Sequence, residues 1–213
     1  MRIGLLKEDN KKDFKIKSDE LKDVLFNKSL IILGITLLGY QTGASLTLTF
    51  IVLYLIEEIH INPIVAGLFG SLSLIIGIII SPISGKIYDR FKNAKKLLFI
   101  SAILSALSIM LISTNHIYII TVSLITSGIF LSVGFVVIYA RARESRKIIP
   151  EYHTLSVGYV NGISLFGSFW IPIIFSFTVS QYSYTMAWLC AGITIIILSL
   201  PILMLDSEKN QIV

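Results

Sequence analysis

The sequence predicts an all-α membrane protein with six transmembrane helices, and three observations lead to that fold class. Hydrophobic residues make up 54% of the 213 residues, charged residues make up only 15%, and the mean hydropathy is +0.82. Soluble domains usually carry about 25% charged residues, so a single globular core could not bury this much apolar surface. The apolar residues also fall into six long runs, and the connections between the runs alternate in charge.

The six apolar runs are long enough to cross a bilayer, for which a helix needs about 20 residues. None of them contains Lys, Arg, His, Asp or Glu. Backbone polar groups cannot stay unpaired in hydrocarbon, so a spanning segment must be a helix or part of a closed β-barrel. Barrel strands are about ten residues long and alternate polar with apolar residues, whereas these runs do not. The predicted helical spans are residues 30–56, 64–84, 97–113, 117–140, 155–179 and 185–205.

Basic residues occupy only one side of the predicted membrane domain. All 18 Lys and Arg residues lie in the tails or in the second and fourth connections, and the other three connections have none. Connections rich in Lys and Arg stay in the cytoplasm, so both termini are expected there, in a multi-pass protein of the cell membrane. This orientation explains the net charge of +5, and a nucleic-acid partner is not predicted.

The tails divide the chain into three predicted parts. Ser18, Asp19 and Glu20 have the pattern of a helix start, and apolar residues with helical spacing follow them. This pattern predicts a short amphipathic helix on the cytoplasmic face. The parts are a cytoplasmic tail with that helix (1–29), the six-helix membrane domain (30–205) and a cytoplasmic C-terminal tail (206–213).

The second connection has an ordered set of Gly, Asp and basic residues. Residues 85–96 read GKIYDRFKNAKK. This resembles the signature loop of the major facilitator superfamily, which has Gly, three residues, Asp-Arg, then Gly and a basic pair. The matching residues are Gly85, Asp89, Arg90, Lys95 and Lys96. Gly85 is expected to let helices touch at the base of the loop.

The loop departs from the family pattern at its second glycine. Asn93 or Ala94 stands near that place. Asn adopts the left-handed conformation more readily than most residues, so the tight turn is expected to survive. The resemblance also implies that the loop latches the cytoplasmic side, and Asp89 is expected to pair with Arg141 or Arg143 at the end of the fourth span.

The resemblance extends over most of the chain and implies its architecture. The family has twelve spans in two halves, each made of two three-helix repeats. Residues 21–30 are similar to the junction that enters the seventh span, and Gly158, Gly162 and Pro172 are similar to an eleventh span. The chain is thus interpreted as the C-terminal half, spans seven to twelve. A split gene product, a truncated reading frame and a self-pairing half all remain open.

The family resemblance implies half of a secondary active transporter that moves a small solute by alternating access. The partner is then a second six-helix half or another copy of the chain. The first span of each repeat is expected to line the substrate cavity, and Asn161 in the fifth span is a further candidate. The candidate cavity residues are Tyr40, Gln41, Ser45, Thr126, Phe130 and Asn161.

The residues of the spans do not favour an enzyme. An intramembrane enzyme needs a nucleophile with a base, or a metal cluster, at membrane depth, and no His, Asp or Glu accompanies the serines of the spans. Cys190 is a lone cysteine in an apolar run, and no cofactor or metal motif is found. A non-transporting membrane subunit or a truncated gene product is the alternative to a transporter.

Glycines four residues apart, as at Gly39 and Gly43, indicate close helix packing.

Overall fold

The structure is a computed structural model that describes Lys22 and residues 24–91, 93–144 and 153–205. Short 3-10 turns, Ile112–Thr114 and Leu200–Met204, extend the third and the last helix. The helices with described bounds are α1 (Lys28–Glu57), α2 (Pro63–Phe91), α3 (Ala94–Leu111), α4 (Ile117–Arg143), α5 (His153–Ser168), α6 (Ile171–Gln181) and α7 (Tyr184–Ser199).

Within the described residues, six helical segments are long and apolar enough to cross a membrane, which confirms the predicted fold class and the predicted number of spans. No strand occurs in the part of the chain that the structure describes. The predicted amphipathic helix lies almost wholly outside that part; only its last turn is seen, where the Phe26 N–H donates to the Lys22 carbonyl (2.9 Å). The spans are Lys28–Glu57, Pro63–Phe91, Ala94–Thr114, Ile117–Arg143, His153–Gln181 and Tyr184–Met204.

Polar side chains start three of the helices by accepting hydrogen bonds from free N–H groups. The Asn27 side chain caps α1, Ser183 caps α7, and Asn93 Oδ1 accepts from the Lys96 N–H (3.1 Å) at the start of α3. Asn93 has φ −121° and ψ 78°. It therefore does not adopt the left-handed conformation, and the prediction of a left-handed turn at this residue is wrong. Asn93 instead caps the N-terminus of α3, at the end of the signature loop.

The fifth span is broken in the middle, whereas the sequence predicted one continuous helix over residues 155–179. Pro172 has no N–H to donate, and its ring opposes the carbonyl four residues earlier, at Ser168. Accordingly α5 ends at Ser168 and α6 begins at Ile171. The Trp170 N–H donates to the Gly167 carbonyl (3.2 Å) and closes the tight turn between them.

Helix α1 lies at the centre of the bundle and contacts each of the other six helices. In its most apolar stretch 67% of the residues are buried, compared with 11% in the second span and 17% in the fifth. Helix α2 packs mainly on α4, and α5 packs mainly on α1. The second and fifth spans therefore leave most of their surface free within this six-helix unit.

The two glycine pairs of the first and fifth spans have different surroundings. A Cβ on Gly43 would lie 2.6 Å from Ile109 Cδ1, and one on Gly39 would lie 3.3 Å from the Ile195 carbonyl. These contacts confirm close packing of α1 on α3 and α7. By contrast, a Cβ on Gly158, Gly162 or Gly85 would meet no atom within 4 Å. The described residues thus provide no helix contact at Gly85.

Candidate functional site: a groove between α1, α2 and α4

A groove of about 290 Å³ lies between α1, α2 and α4. Helices α1 and α4 are the first spans of the two predicted three-helix repeats, which the family resemblance placed at the cavity. Ala44 and Leu48 line the groove from α1, and Phe135 and Val136 line it from α4. Helix α2 contributes the remaining wall through small and apolar residues.

Small residues let α2 and α4 approach almost to backbone contact along the groove. A Cβ on Gly128 would lie 2.5 Å from the Ser73 carbonyl oxygen. One turn away, Ser132 Oγ donates to the Gly77 carbonyl (2.9 Å). Any larger side chain at Gly128 would push the two helices apart, because the obstacle is backbone and cannot rotate away.

The groove is mostly apolar and has a few unpaired hydroxyl groups. Ser73 is only 8% exposed, and its hydroxyl bonds to no described residue. Ser81 is half-buried and likewise without a partner in the described part of the chain. No charged side chain lines the groove. Its chemistry is therefore apolar contact with a few directed hydrogen bonds, as is usual for small-molecule sites.

Gln41 and Ser45 are close in sequence to Ala44 and Leu48, the α1 residues that line the groove. Gln41, Ala44, Ser45 and Leu48 follow the i, i+3, i+4, i+7 spacing of one helix face. Gln41 and Ser45 are half-buried, and neither side chain bonds to a residue within the described ranges. Gln41 and Ser45, two of the sequence-predicted cavity residues, do not themselves line the groove, whose α1 wall is Ala44 and Leu48.

Tyr40 lies elsewhere, in the core of the bundle. It is fully buried, donates its hydroxyl to the Leu98 carbonyl (2.6 Å) and hydrogen-bonds to Ser101 Oγ (2.6 Å). Its ring lies against Gly134 of α4. Tyr40 therefore ties α1 to α3 and α4, and its polar group is not available to a solute in this conformation.

The other three predicted cavity residues are also separate from the groove. Thr126 donates to Ser108 Oγ (2.8 Å) and faces α3. Phe130, four residues on, shares the helix face of Thr126 and does not line the groove. Asn161 Oδ1 accepts from the Tyr139 hydroxyl (3.1 Å) and joins α5 to α4.

The signature loop connects helix ends through contacts that differ from those expected. Asp89 is exposed and forms no ion pair with Arg141, Arg143 or any other residue that the structure describes, so the expected pairing is not present here. Water competes well for such exposed charges. Instead the neighbouring Tyr88 donates its hydroxyl to Glu144 Oε2 (2.6 Å) and joins the C-terminal ends of α2 and α4.

Lys95 of the signature loop reaches the end of the sixth span. Its Nζ donates to the Leu203 carbonyl (2.5 Å) and lies 3.4 Å from the Leu205 carbonyl. A cation at a helix C-terminus satisfies carbonyls that have no partner in the helix. Arg90 and Lys96, the other two basic residues that match the signature, are exposed. Lys95 thus joins the two repeats on the side that the sequence places in the cytoplasm.

Titratable and metal-binding groups lie outside the groove. No group of three or more His, Cys, Asp or Glu side chains that could hold a metal is found among the described residues. His60 and His116 are exposed at helix ends.

Sequence reasoning missed most of the groove residues, although a signal was present. Ser73, Gly77 and Ser81 are spaced four residues apart on α2, and Gly128 and Ser132 have the same spacing on α4. Small residues at this spacing allow close helix contact. The two stripes face each other in the structure and form the α2 and α4 walls.

Known proteins match this architecture. The model of the Major Facilitator Superfamily matches residues 33–211. The probable nitrate transporters NarT of Staphylococcus aureus strains JH9, MRSA252 and N315 are each 26% identical over 129 residues, which is 58% of this chain and 31% of theirs. The match thus spans about a third of the length of these relatives. The family match covers most of the chain and agrees with the six spans and the signature loop, so the chain belongs to the Major Facilitator Superfamily.

Proposed function

We propose that the chain is the C-terminal six-helix half of a secondary active transporter. In this proposal it moves a small solute across the cell membrane by alternating access, together with a second six-helix half. The observation that carries the proposal is the groove between α1, α2 and α4, on a bundle whose second and fifth spans are mostly unburied. A solute site near the membrane midplane between two such units is the arrangement of this type of transporter.

The free polar groups support the need for a second half. Gln41, Ser45 and Ser73 have no hydrogen-bond partner among the described residues. In hydrocarbon an unsatisfied polar group costs on the order of several kcal/mol. A second half would replace lipid at this face, close the groove and leave room for water or a solute to satisfy these groups. The second half is either encoded separately or supplied by another copy of the chain.

The named relatives suggest one solute to test. They are called probable nitrate transporters, so nitrate is the first candidate for an uptake assay. The apolar runs 30–56, 64–84, 97–113, 117–140, 155–179 and 185–205 contain no Lys, Arg, His, Asp or Glu. A fixed positive charge for an anion, or a titratable group for proton coupling, would therefore have to come from the second half.

The proposal predicts that the chain does not transport as a monomer, because one half supplies only one wall of the cavity. The chain would be purified in mild detergent, its mass measured without the detergent contribution, and nitrate uptake measured after reconstitution in liposomes. We expect a dimer, or a co-purifying six-span partner, and no flux through the isolated monomer. A stable monomer that carries nitrate would refute the proposal. A stable monomer without flux or partner would favour a non-transporting membrane subunit.

The proposed orientation can be tested with single cysteines. Asn115 lies in the connection without basic residues, and Lys96 lies in the basic signature loop. In a Cys190→Ser background, we expect a membrane-impermeant maleimide to label Asn115→Cys on intact cells. Lys96→Cys should react only after the membrane is permeabilised. The reverse pattern would place the termini outside the cytoplasm and contradict the positive-inside assignment.

A further inference from the structure

Helix α2 has an outward face on which exposed apolar residues lead directly to two basic residues. Ile75, Ile79 and Ile83 are between 46% and 57% exposed, and Lys86 and Arg90 are exposed as well. Successive members of this set are three or four residues apart, so all five lie on one side of the helix. These five residues, here called the outward stripe, have an apolar part and a cationic end.

The outward stripe lies opposite the side of α2 that packs on the bundle. Ser73 and Gly77 are on the packed side, where the Gly77 carbonyl accepts a hydrogen bond from Ser132 Oγ (2.9 Å). Ile75 and Ile79 each follow one of them by two positions, which is a rotation of roughly 200° about the helix axis. The described residues leave this face largely uncovered, so lipid or a second protein surface must cover it.

The two cations of the outward stripe have no partner among the described residues. Neither Lys86 nor Arg90 forms a hydrogen bond or an ion pair there. Asp89, the nearest acid in the sequence, forms no ion pair within the same ranges. The next acid at this end of the bundle, Glu144, accepts the Tyr88 hydroxyl (2.6 Å). The cationic end of the stripe is therefore free to contact an anion from outside.

Cations of two other helices lie at the same end of the bundle. The bond between Tyr88 and Glu144 holds the C-terminal ends of α2 and α4 together. Helix α4 carries Arg141 and Arg143 in its last turn, and Lys96 lies in the first turn of α3. None of these three is paired with a described residue. A cluster of Lys and Arg at the end of membrane-spanning helices attracts anionic lipid headgroups.

The length of the apolar part fits one leaflet of a bilayer. Ile75 precedes Lys86 by eleven residues, which is roughly 16 Å along a helix. The hydrocarbon core is about 30 Å thick, so one leaflet contributes roughly 15 Å. An acyl chain along the isoleucines would place its headgroup beside Lys86 and Arg90. A soluble anion would use the cations alone, so the combined stripe favours a lipid.

We infer that the outward stripe binds an anionic phospholipid, with the headgroup phosphate between Lys86 and Arg90 and an acyl chain along the three isoleucines. Side chains four residues apart on a helix have Cβ atoms about 5–6 Å apart, so both cations can contact one phosphate. The inference does not depend on the proposed transport function. With the orientation proposed above, this lipid belongs to the cytoplasmic leaflet.

Native mass spectrometry of the purified chain in mild detergent tests the inference. The two lipids to compare are dioleoyl phosphatidylglycerol, which is anionic, and dioleoyl phosphatidylcholine, which has the same chains and no net charge. Half-saturation with phosphatidylglycerol should need about 25-fold less lipid, the equivalent of two contacts of about 1 kcal/mol each. Lys86→Gln/Arg90→Gln should remove most of this preference, and Lys86→Arg/Arg90→Lys should retain it. An unchanged elution volume is the check on folding.

The matched control is Lys96→Gln/Arg143→Gln, which removes two exposed cations from the same end of the bundle but from other helices. It should keep most of the preference for phosphatidylglycerol. An equal loss in the two double glutamine variants would show diffuse attraction to surface charge and would overturn the inference. Competition by inorganic phosphate at matched ionic strength would also overturn it, because a soluble anion would then suffice. A dimer that excludes phosphatidylglycerol would show that a second copy covers α2, again against the inference.

Discussion

Replacing Gly134 by alanine is expected to lower the free energy of unfolding by about 1–3 kcal/mol, the usual effect of overpacking a filled core. A Cβ at this position would overlap the ring of Tyr40. The ring cannot turn away, because its hydroxyl is held 2.6 Å from both the Leu98 carbonyl and Ser101 Oγ. The added methyl group must therefore separate α1 from α4 or break the hydrogen bonds to α3.

Unfolding in mixed micelles, followed by tryptophan fluorescence as denaturing detergent is added, would measure this effect. Gly67→Ala is the matched control, since a Cβ there meets nothing within 4 Å and alanine favours the helix by roughly 0.5–1 kcal/mol. Tyr40→Ala removes the obstacle, so the Gly134→Ala cost should shrink strongly in the double variant. An equal cost with and without the Tyr40 ring would show that this contact is not the cause.

Most of the membrane architecture could be predicted because it depends on composition over long segments. A run of about 20 apolar residues has few alternatives to a spanning helix, and the six spans follow from that alone. The break in the fifth span could not be predicted from the presence of a proline alone. Pro82 lies inside a continuous α2, whereas Pro172 begins a new helix, and the packing of neighbouring helices decides between these results.

The candidate site was harder to predict because the spans are apolar on every side. One residue step turns a side chain by about 100°, so Tyr40 and Gln41 point to different neighbours, yet nothing in an all-apolar helix fixes which of them faces the core. Nothing in the all-apolar fourth span marks the face of Thr126 and Phe130 either, and neither residue lines the groove. The spacing of Ser73, Gly77 and Ser81 identifies a packing face, but the gap beside that face depends on where α1 lies.

The adjacent residues Tyr40 and Gln41 are expected to respond to substitution with opposite signs. Tyr40→Phe should lower the free energy of unfolding by about 1–2 kcal/mol, because it removes the hydroxyl that bonds Leu98 and Ser101. Gln41→Leu should raise it by about 1 kcal/mol in lipid bicelles, because the amide has no bond to a described residue and leucine is at no disadvantage against lipid. Both changes nearly conserve side-chain volume.

If Gln41→Leu stabilises the chain, the Gln41 amide lowers the stability of the isolated half. Residues that bind ligands often lower stability in this way. Ser45→Ala, one turn away on the same stripe, should be neutral or slightly stabilising for the same reason. Denaturing-detergent titrations of the three variants beside the unmodified chain give the comparison. If Gln41→Leu instead costs as much as Tyr40→Phe, the amide holds helices together within this half. Gln41 would then no longer be a candidate cavity residue, and the groove at Ser73 would be the remaining candidate for the solute site.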